Sequence, residues 1–164
     1  MQPRAVVRNS ILFACFCLAL SQPAQAGTVE GTPTVIDGDT IEVAHTRIRL
    51  FGIDAPEKRQ NCQSDNGDWP CGQVALLELS NRLEGKSVTC TEHGRDRYKR
   101  VIATCEIGAE DIGAWMVGQG WALAYRHYSN AYLPQEEWAK ANGNGVWKGA
   151  FTNPWDWRKA SKRP

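Results

Sequence analysis

The order of strand-like and helix-like segments constrains this fold more than any other feature of the sequence. Residues 34–36 and 40–43 flank a tight Asp-Gly turn, and residues 47–51 alternate charged and apolar side chains. That alternation has the period of a half-buried strand. Residues 87–91 and 101–107 are similarly strand-like and flank a charged turn. The sequence therefore predicts three successive strands and a later hairpin.

Three other segments have helical spacing. Leucines recur on one face of residues 73–83 before Gly85, and residues 111–119 and 134–141 place apolar side chains at helical intervals. One helix thus lies before the final hairpin and two follow it. That order is typical of a small closed β-barrel with helices packed on it. We predict an α+β fold in which a five-stranded OB-fold barrel carries about three helices.

The first 26 residues have the composition of a secretion signal. Arg4 and Arg8 give a positive start, residues 11–20 are apolar, and the small residues of an A-x-A cleavage site end at Ala26. This apolar run is too short to span a bilayer, which takes about 20 residues. We predict a cleaved signal peptide at residues 1–26, with an uncleaved N-terminal anchor as the alternative, and a secreted or periplasmic protein.

Removal of residues 1–26 from the 164-residue chain leaves 138 residues, which fit one domain at residues 27–164. The removed segment carries two Arg and no acidic residue, so 17 Lys and Arg face 18 Asp and Glu in the mature chain. Proteins that bind nucleic acid usually have a basic excess. Any basic surface on this chain must therefore be local. We expect a monomer without membrane association.

Four cysteines stay in the mature chain: Cys62, Cys71, Cys90 and Cys105. An even set in an oxidising compartment indicates two disulfides, for which three pairings exist. We favour Cys62–Cys71, which closes a short loop, and Cys90–Cys105, since each follows a Thr in a strand-like run beside one turn. A zinc site is the alternative, but the sequence has no Cys-x-x-Cys and no histidine pair with ligand spacing.

Three carboxylates lie at turns between the predicted strands. Asp39 follows the tight Asp-Gly turn, and Asp54 and Glu57 bracket a second turn. If they converge, they repel one another unless a cation lies between them. Ca²⁺ accepts carboxylates, backbone carbonyls and waters in flexible geometry, which makes it the cofactor that this pattern favours. The alternative is that these carboxylates are solvated or cap helices.

Arginines accompany the carboxylates. Arg49 precedes Asp54 by five residues, and the turn at residues 95–100 holds three Arg and one Lys with Asp96 as its only acid. An arginine fork matches the oxygens of a phosphate. A metal, carboxylates and two guanidinium groups together suit phosphoryl transfer. The alternative is an ordinary charged hairpin tip.

Four motifs resemble the staphylococcal (micrococcal) nuclease family, the thermonucleases. They are DGDT at residues 37–40, RL at 49–50, IDAPE at 53–57 and DRYKR at 96–100. Their order and spacing match the family, and the resemblance covers roughly residues 30–150. As a set these motifs are specific, whereas Asp-Gly-Asp alone is weak.

The resemblance implies a Ca²⁺ site and a water-directing carboxylate. Asp39 and Asp54 would bind the ion through their carboxylates. Ala55 would bind it through its backbone carbonyl, although the best-known member has Thr at that position. Glu57 would activate or orient the attacking water.

The resemblance also implies a substrate-binding set. Arg49 and Arg100 would hold the phosphate, Tyr98 and Tyr125 would line the nucleotide pocket, and Arg97 would contact the substrate. The implied substrates are DNA and RNA, preferably single-stranded, and the implied products carry a 3′-phosphate.

The chain departs from the family at several positions. Lys99 replaces a Gly in the basic turn, the loop after Glu57 is longer, and His127 occupies the aligned position of a second pocket tyrosine. Tyr128 could serve instead. Two other functions stay open at this point. One is a non-catalytic OB-fold module that binds nucleic acid or an envelope partner, and the other is a structural or inhibitory envelope protein.

Overall fold

The computed structural model describes residues 27–162, so the predicted signal peptide lies outside the described residues. The strands are β1 (Thr28–Gly31), β2 (Thr34–Asp37), β3 (Thr40–Val43), β4 (Thr46–Leu50), β5 (Ile53–Asp54), β6 (Cys62–Ser64), β7 (Gly67–Trp69), β8 (Val88–Arg95), β9 (Val101–Ile107), β10 (Glu110–Asp111) and β11 (Leu123–Ala124). The helices are α1 (Cys71–Leu83), α2 (Ile112–Gly118), α3 (Leu133–Asn142) and α4 (Pro154–Ser161), with a 3₁₀ helix at Gly145–Lys148.

One mixed sheet forms the body of the protein. Its strands follow the order β1-β8-β9-β4-β3-β2, and β10 also pairs with β9. The β4–β9 pair is parallel and the other pairs in this sheet are antiparallel. The α+β class is confirmed. The prediction of a closed five-stranded barrel was wrong, because the sheet has seven strands and no ladder between residues 27 and 162 joins edge strands β1 and β2.

The link between the two edge strands explains why the sheet still curves strongly. β1 ends at Gly31 and β2 begins at Thr34, so only Thr32 and Pro33 connect the opposite edges of the sheet. Such a short link holds the edges near each other. Pro33 has no backbone N–H to donate to a ladder, which disfavours pairing at this point. The sheet is therefore curled and open.

The main core lies between the curled sheet and helices α1 and α2. Ile41 and Ile48 from the sheet, Leu79 from α1 and Met116 from α2 are all fully buried in it. Burial of each such side chain stabilises the fold by about 1.5–3 kcal/mol relative to exposure. The core thus fixes α1 and α2 on the sheet whose strand ends carry the predicted site residues.

A second, smaller hydrophobic core lies apart from the main core. It contains Leu123 and Val146 together with both cysteines of one disulfide, and Trp69, Trp147, Phe151 and Trp155 pack against it. The longer loop after Glu57 contains the β6–β7 hairpin, which lies within this region. The segment near the C-terminus forms α4, so the described residues hold four α-helices where about three were predicted.

Both disulfides form in the pairing that the sequence favours. Cys62 pairs with Cys71 across nine residues of sequence, and Cys90 pairs with Cys105 across fifteen. The first joins β6 to the first residue of α1, and the second links directly opposed residues of β8 and β9. All four cysteines between residues 27 and 162 are thereby used, which leaves none of them as a zinc ligand.

Two of the three predicted helices have a capping residue at one end. Asp111 caps α2, since its carboxylate accepts a hydrogen bond from the backbone N–H of Ala114 at 3.1 Å. Gly143 ends α3 with a φ of 63°, the left-handed conformation that glycine adopts readily. Among residues 27–162, no helix combines the length and hydrophobicity that crossing a bilayer requires.

Candidate active site

The tight turn between β2 and β3 positions Asp39. The backbone N–H of Asp39 donates to the Asp37 carboxylate at 3.1 Å, which closes the turn. A Cβ atom at Gly38 would lie 2.7 Å from the Cβ atom of Ala55, closer than real contacts allow. Glycine is therefore required for this turn to approach the segment that carries Ala55. The result is an Asp39 side chain that is almost entirely buried.

Strand β5 positions Asp54 against the same turn. β5 pairs with β11, in which Leu123 lies opposite Asp54, and the Asp54 residue has no exposed surface. The backbone N–H of Ala55 donates to Asp39 Oδ2 at 3.3 Å. The structure thus brings together Asp39, Asp54 and Ala55, the three residues predicted to hold a metal.

Arg49 lies between the two aspartates. It pairs across the sheet with Thr40, next to Asp39, and its Nη1 donates to Asp39 Oδ1 at 2.8 Å. Its Nη2 donates to Asp54 Oδ1 at 2.7 Å. Burial opposes its charge, but the two carboxylates outweigh burial and raise the pKa of Arg49. In this structure Arg49 is a bridge between the carboxylates.

Burial also acts on the aspartates themselves. Desolvation raises the pKa of Asp39 above its ordinary value although Arg49 opposes the shift, and Asp37 adds to it. Desolvation likewise raises the pKa of Asp54, against hydrogen bonds from Arg158 and with repulsion from Asp39. Two buried carboxylates this close need cations to remain ionised.

Arg158, which the sequence analysis did not identify, is the second cation of this cluster. Its Nη2 donates to Asp54 Oδ2 at 2.7 Å, and its Nη1 contacts both Asp54 Oδ1 at 3.0 Å and Glu57 Oε1 at 2.7 Å. Burial opposes the charge, but these carboxylates raise the pKa of Arg158. Asn153-Pro154 is a helix-start signal that could have revealed α4, but no local pattern connects Arg158 with Asp54.

The backbone of Glu57 is fixed from two sides. Its N–H donates to the side-chain oxygen of Gln60 at 3.2 Å, and its carbonyl accepts from the backbone N–H of Gln60 at 2.7 Å. A Cβ atom at Gly72 would lie 1.8 Å from the Glu57 carbonyl oxygen, so the first turn of α1 packs directly on this backbone. The Glu57 side chain is partly exposed and points into the cluster, where Arg158 binds it.

Arg100 approaches the site from the turn between β8 and β9. Its Nε donates to Asp96 Oδ2 at 2.8 Å, and its Nη1 lies 3.3 Å from the Thr40 hydroxyl beside Asp39. Burial of Asp96 is outweighed by hydrogen bonds from Arg100 and from the backbone of the turn, which lower the pKa of Asp96. Asp96 therefore stays ionised and holds the Arg100 guanidinium toward the aspartates.

The same turn presents Tyr98 on the surface. Tyr98 is 62% exposed, and the guanidinium groups of Arg97 and Arg100 lie 4.9 and 5.7 Å from its ring centre. Lys99 has a φ of 66°, a left-handed conformation that costs a residue with a Cβ atom about 1–2 kcal/mol. A glycine would adopt this turn without that cost.

Aromatic side chains form the opposite wall. Tyr125 stacks on Trp155 with ring centres 5.6 Å apart, and Tyr128 meets Tyr125 edge-on at 5.2 Å. His127 packs against Tyr128 at 4.9 Å. Both Tyr128 and His127 thus line the wall. The two residues that the sequence offers in place of a second pocket tyrosine are therefore adjacent in space.

These walls enclose a cleft of about 730 Å³. Asp54 lies buried beneath the floor, whereas the other predicted functional residues line the cleft: Asp39, Arg49, Ala55, Glu57, Arg97, Tyr98, Arg100 and Tyr125. Sequence positions from 39 to 158 therefore meet at one surface. A concave site with acids, guanidiniums and aromatic rings suits an anionic ligand with planar groups.

The donor set fits a hard cation by its chemistry. The carboxylates of Asp39 and Asp54 and the carbonyl of Ala55 supply oxygen atoms, which are the ligands that Ca²⁺ prefers. Within residues 27–162, no three Asp, Glu, His or Cys side chains are grouped as a preformed metal site. Guanidinium groups of Arg49 and Arg158 lie between the carboxylates instead.

Known proteins resemble this chain over most of its length. The family described as Staphylococcal nuclease homologue matches residues 47–149. The "Micrococcal nuclease" of Shigella flexneri is 32% identical over 91% of this chain and 91% of its own. An "Uncharacterized endonuclease" of Haemophilus influenzae is 32% identical over 96% of this chain and 89% of its own.

A relative with a different description matches as well. The "Succinoglycan biosynthesis protein ExoI" of Rhizobium meliloti is 38% identical over 79% of this chain and 72% of its own. The family match supports the OB-type order of the sheet, although the sheet is open. The predicted site residues from Arg49 to Tyr125 fall inside the matched segment, and Asp39 and Arg158 fall outside it.

Proposed function

This chain belongs to the Staphylococcal nuclease homologue family, and from that premise we propose that it is a Ca²⁺-dependent endonuclease that hydrolyses phosphodiester bonds in DNA and RNA. The observation that carries the proposal is the meeting of Asp39, Arg49, Asp54, Glu57 and Arg100 at one cleft. A module that only bound nucleic acid would have no need of buried aspartates beneath its binding surface.

Asp39, Asp54 and the Ala55 carbonyl are the residues that would hold Ca²⁺. When bound, the ion would supply positive charge that stabilises the phosphate in its transition state. The charge balance of the cluster supports this assignment, because the three carboxylates of Asp39, Asp54 and Glu57 outnumber the two guanidinium groups bound to them. The donor atoms are all oxygen, which matches the preference of the ion.

The guanidinium groups act on the phosphate. Arg100 is held by Asp96, so its orientation is set before substrate arrives, and a preorganised donor stabilises developing charge without reorganisation. Arg49 shares its donors with Asp39 and Asp54 and would offer its exposed edge to the phosphate. Two forks of this kind can bind the non-bridging oxygens.

Glu57 would direct the attacking water. Its backbone is fixed by Gln60 and by the start of α1, so the Glu57 side chain extends from a fixed position at the edge of the cleft. Hydrolysis then breaks the bond between phosphorus and the 5′ oxygen of the next nucleotide. The products would carry a 3′-phosphate and a 5′-hydroxyl, as in the family.

The aromatic wall supports a preference for single strands. Tyr125, Tyr128 and the exposed ring of Tyr98 offer faces on which unpaired bases can stack, and stacking contributes about 1–3 kcal/mol per base. In a duplex the bases are already stacked on one another. With a formal net charge of −1 for residues 27–164, nonspecific attraction to the backbone is weak, which adds to the importance of stacking.

A cleavage assay tests the proposal. The purified, disulfide-bonded protein is incubated with single-stranded DNA, duplex DNA and RNA, each in CaCl₂ and in EGTA. We expect cleavage in CaCl₂, faster on single strands than on duplex, and none in EGTA. The 5′ ends of the products should accept phosphate from a polynucleotide kinase without prior phosphatase treatment. Light scattering on the same sample should give the mass of a monomer.

The outcomes separate the parts of the proposal. No cleavage of any substrate in CaCl₂ would rule out the enzyme and favour a binding module. Equal cleavage in EGTA would rule out the metal assignment and leave the nuclease. Products that the kinase labels only after phosphatase treatment would reverse the assignment of the cleaved bond.

We also propose that the protein is exported, to a periplasm or to the medium. Two disulfides among the described residues support an oxidising compartment. N-terminal sequencing of the protein recovered from the periplasm and the medium should begin at Gly27. Recovery in the cytosol with Met1 in place would contradict export.

A further inference from the structure

Arg158 occupies the carboxylate oxygens that a metal would use. It binds both oxygens of Asp54, at 2.7 and 3.0 Å, and one oxygen of Glu57 at 2.7 Å. Asp54 also accepts from Arg49, so its Oδ1 carries two donors and its Oδ2 carries one. A metal that coordinates Asp54 therefore competes with Arg158 for the same lone pairs.

The charges in this cluster point the same way. Asp39, Asp54 and Glu57 bring three negative charges, and Arg49 and Arg158 bring two positive ones. A divalent cation added to this set would lie close to a guanidinium of like sign, and such charges repel strongly near a protein interior. The repulsion is removed if one guanidinium leaves. Arg49 is enclosed by both aspartates, whereas Arg158 is the more exposed of the two.

Helix α4 delivers Arg158 from a fixed position. Pro154 at its start is buried, and Trp155 stacks on Tyr125 in the cleft wall. The residues before α4 are tied down as well, since the buried Gln60 donates from Nε2 to the Thr152 carbonyl at 2.6 Å. The guanidinium thus reaches the carboxylates from an anchored helix, so its release from them requires a change in the Arg158 rotamer and no movement of α4.

We propose that Arg158 is the resident counter-cation of the metal site, held on Asp54 and Glu57 in the absence of metal and displaced when Ca²⁺ binds. The inference rests on the metal assignment in the proposed function and deepens it. Displacement has a second effect, because Arg158 also releases Glu57. Metal binding and the availability of the water-directing carboxylate are then one event.

Calcium titration without nucleic acid tests this inference. The purified, disulfide-bonded protein and its Arg158→Gln variant are titrated with CaCl₂ by calorimetry, and their Tm values are measured with and without the ion. We expect the variant to bind Ca²⁺ about tenfold more tightly, because the competing arrangement no longer lowers the fraction of sites open to metal. The metal-free variant should have the lower Tm, and Ca²⁺ should raise its Tm by more than it raises that of the parent.

Two further variants make the test specific. Lys159→Gln removes the same charge from the neighbouring position of α4, where the side chain is 74% exposed, and its Kd for Ca²⁺ should equal that of the parent. Arg158→Lys keeps the charge but cannot bind both oxygens of Asp54, and its Kd should lie between those of the parent and Arg158→Gln. The lysine variant also serves if the glutamine variant fails to fold.

Each outcome decides the matter. If the parent binds Ca²⁺ and Arg158→Gln binds it equally or less tightly, this inference is overturned and the proposed function is not. Loss of an arginine with a purely structural role would lower Tm without increasing the affinity for Ca²⁺. If the glutamine variant does not fold, a lysine variant whose Kd equals that of the parent would overturn it too. If no variant and no parent binds Ca²⁺, the metal assignment of the proposed function fails and the inference fails with it.

Discussion

Arg100→Ala and Glu57→Gln are each expected to lower kcat on single-stranded DNA by a factor of about 10² or more, roughly 3 kcal/mol of transition-state stabilisation. The Arg100→Ala variant lacks the guanidinium that Asp96 holds toward the aspartates. Glutamine at position 57 keeps the size of the side chain and removes the charge that directs the water. Because both side chains lie at the cleft surface, their loss should act on the chemical step more than on folding.

The measurement is a single-turnover cleavage rate at saturating CaCl₂, with Tm as a check on folding. Glu84→Gln and Lys86→Ala remove the same charges in the turn that follows α1, away from the cleft, and should cleave at the parental rate. Rates within a few-fold of the parent for both Arg100→Ala and Glu57→Gln would show that the roles are assigned to the wrong residues. A drop in the two control variants would show that net charge, and not position, sets the rate.

Loss of the Cys90–Cys105 disulfide is expected to have the largest effect on stability. The double variant Cys90→Ala/Cys105→Ala should lower the free energy of unfolding by about 3 kcal/mol, from the freed chain entropy of a fifteen-residue loop. Both sulfurs lie in the main core between β8 and β9, where the smaller alanines also leave unfilled space. The Arg100 turn joins these two strands, so its geometry depends on the same pairing.

Urea unfolding followed by circular dichroism gives the free energy of unfolding, and thiol titration of the unreduced mature chain, residues 27–164, should find no free thiol. Cys62→Ala/Cys71→Ala is the matched variant and affects the smaller core. It should lower the free energy of unfolding by less, because the loop that this disulfide closes is shorter and fewer buried side chains surround it. A loss below about 1 kcal/mol for the Cys90 and Cys105 pair would contradict the expected contribution of this disulfide. Four reactive thiols in the parent would contradict both bridges.

Short-range patterns predicted five strands of the main sheet and three of the four α-helices that the structure describes. The alternation at residues 47–51 predicted β4, and the helical spacing at residues 134–141 predicted α3. Such signals involve residues that are close together in the chain, so they can be recognised from a single sequence. The same holds for Arg49, Asp54 and Glu57, whose spacing of five and three residues places them near the end of β4, on β5 and in the turn after β5.

Contacts between residues far apart in the chain could not be predicted from the sequence. Whether the sheet closes depends on pairing between β1 and β2, and no local pattern reports that β1 pairs with β8 instead. Arg158 is 104 residues from Asp54, and a single arginine in a tryptophan-rich tail carries no sign of its partner. Trp155 packs against the smaller core and stacks on Tyr125, but tryptophans in the tail do not indicate a guanidinium in the cleft.

Gln60 is fully buried, and its side chain bonds two backbone groups that together restrict the residue types possible at this position. Its side chain must accept from the N–H of Glu57 and donate to the carbonyl of Thr152 at the same time. Glutamate offers no donor, leucine offers neither group, and asparagine is one carbon too short to span both. A comparison of natural variants could therefore mistake this residue for part of the catalytic machinery, although its task is to set one distance between two backbones.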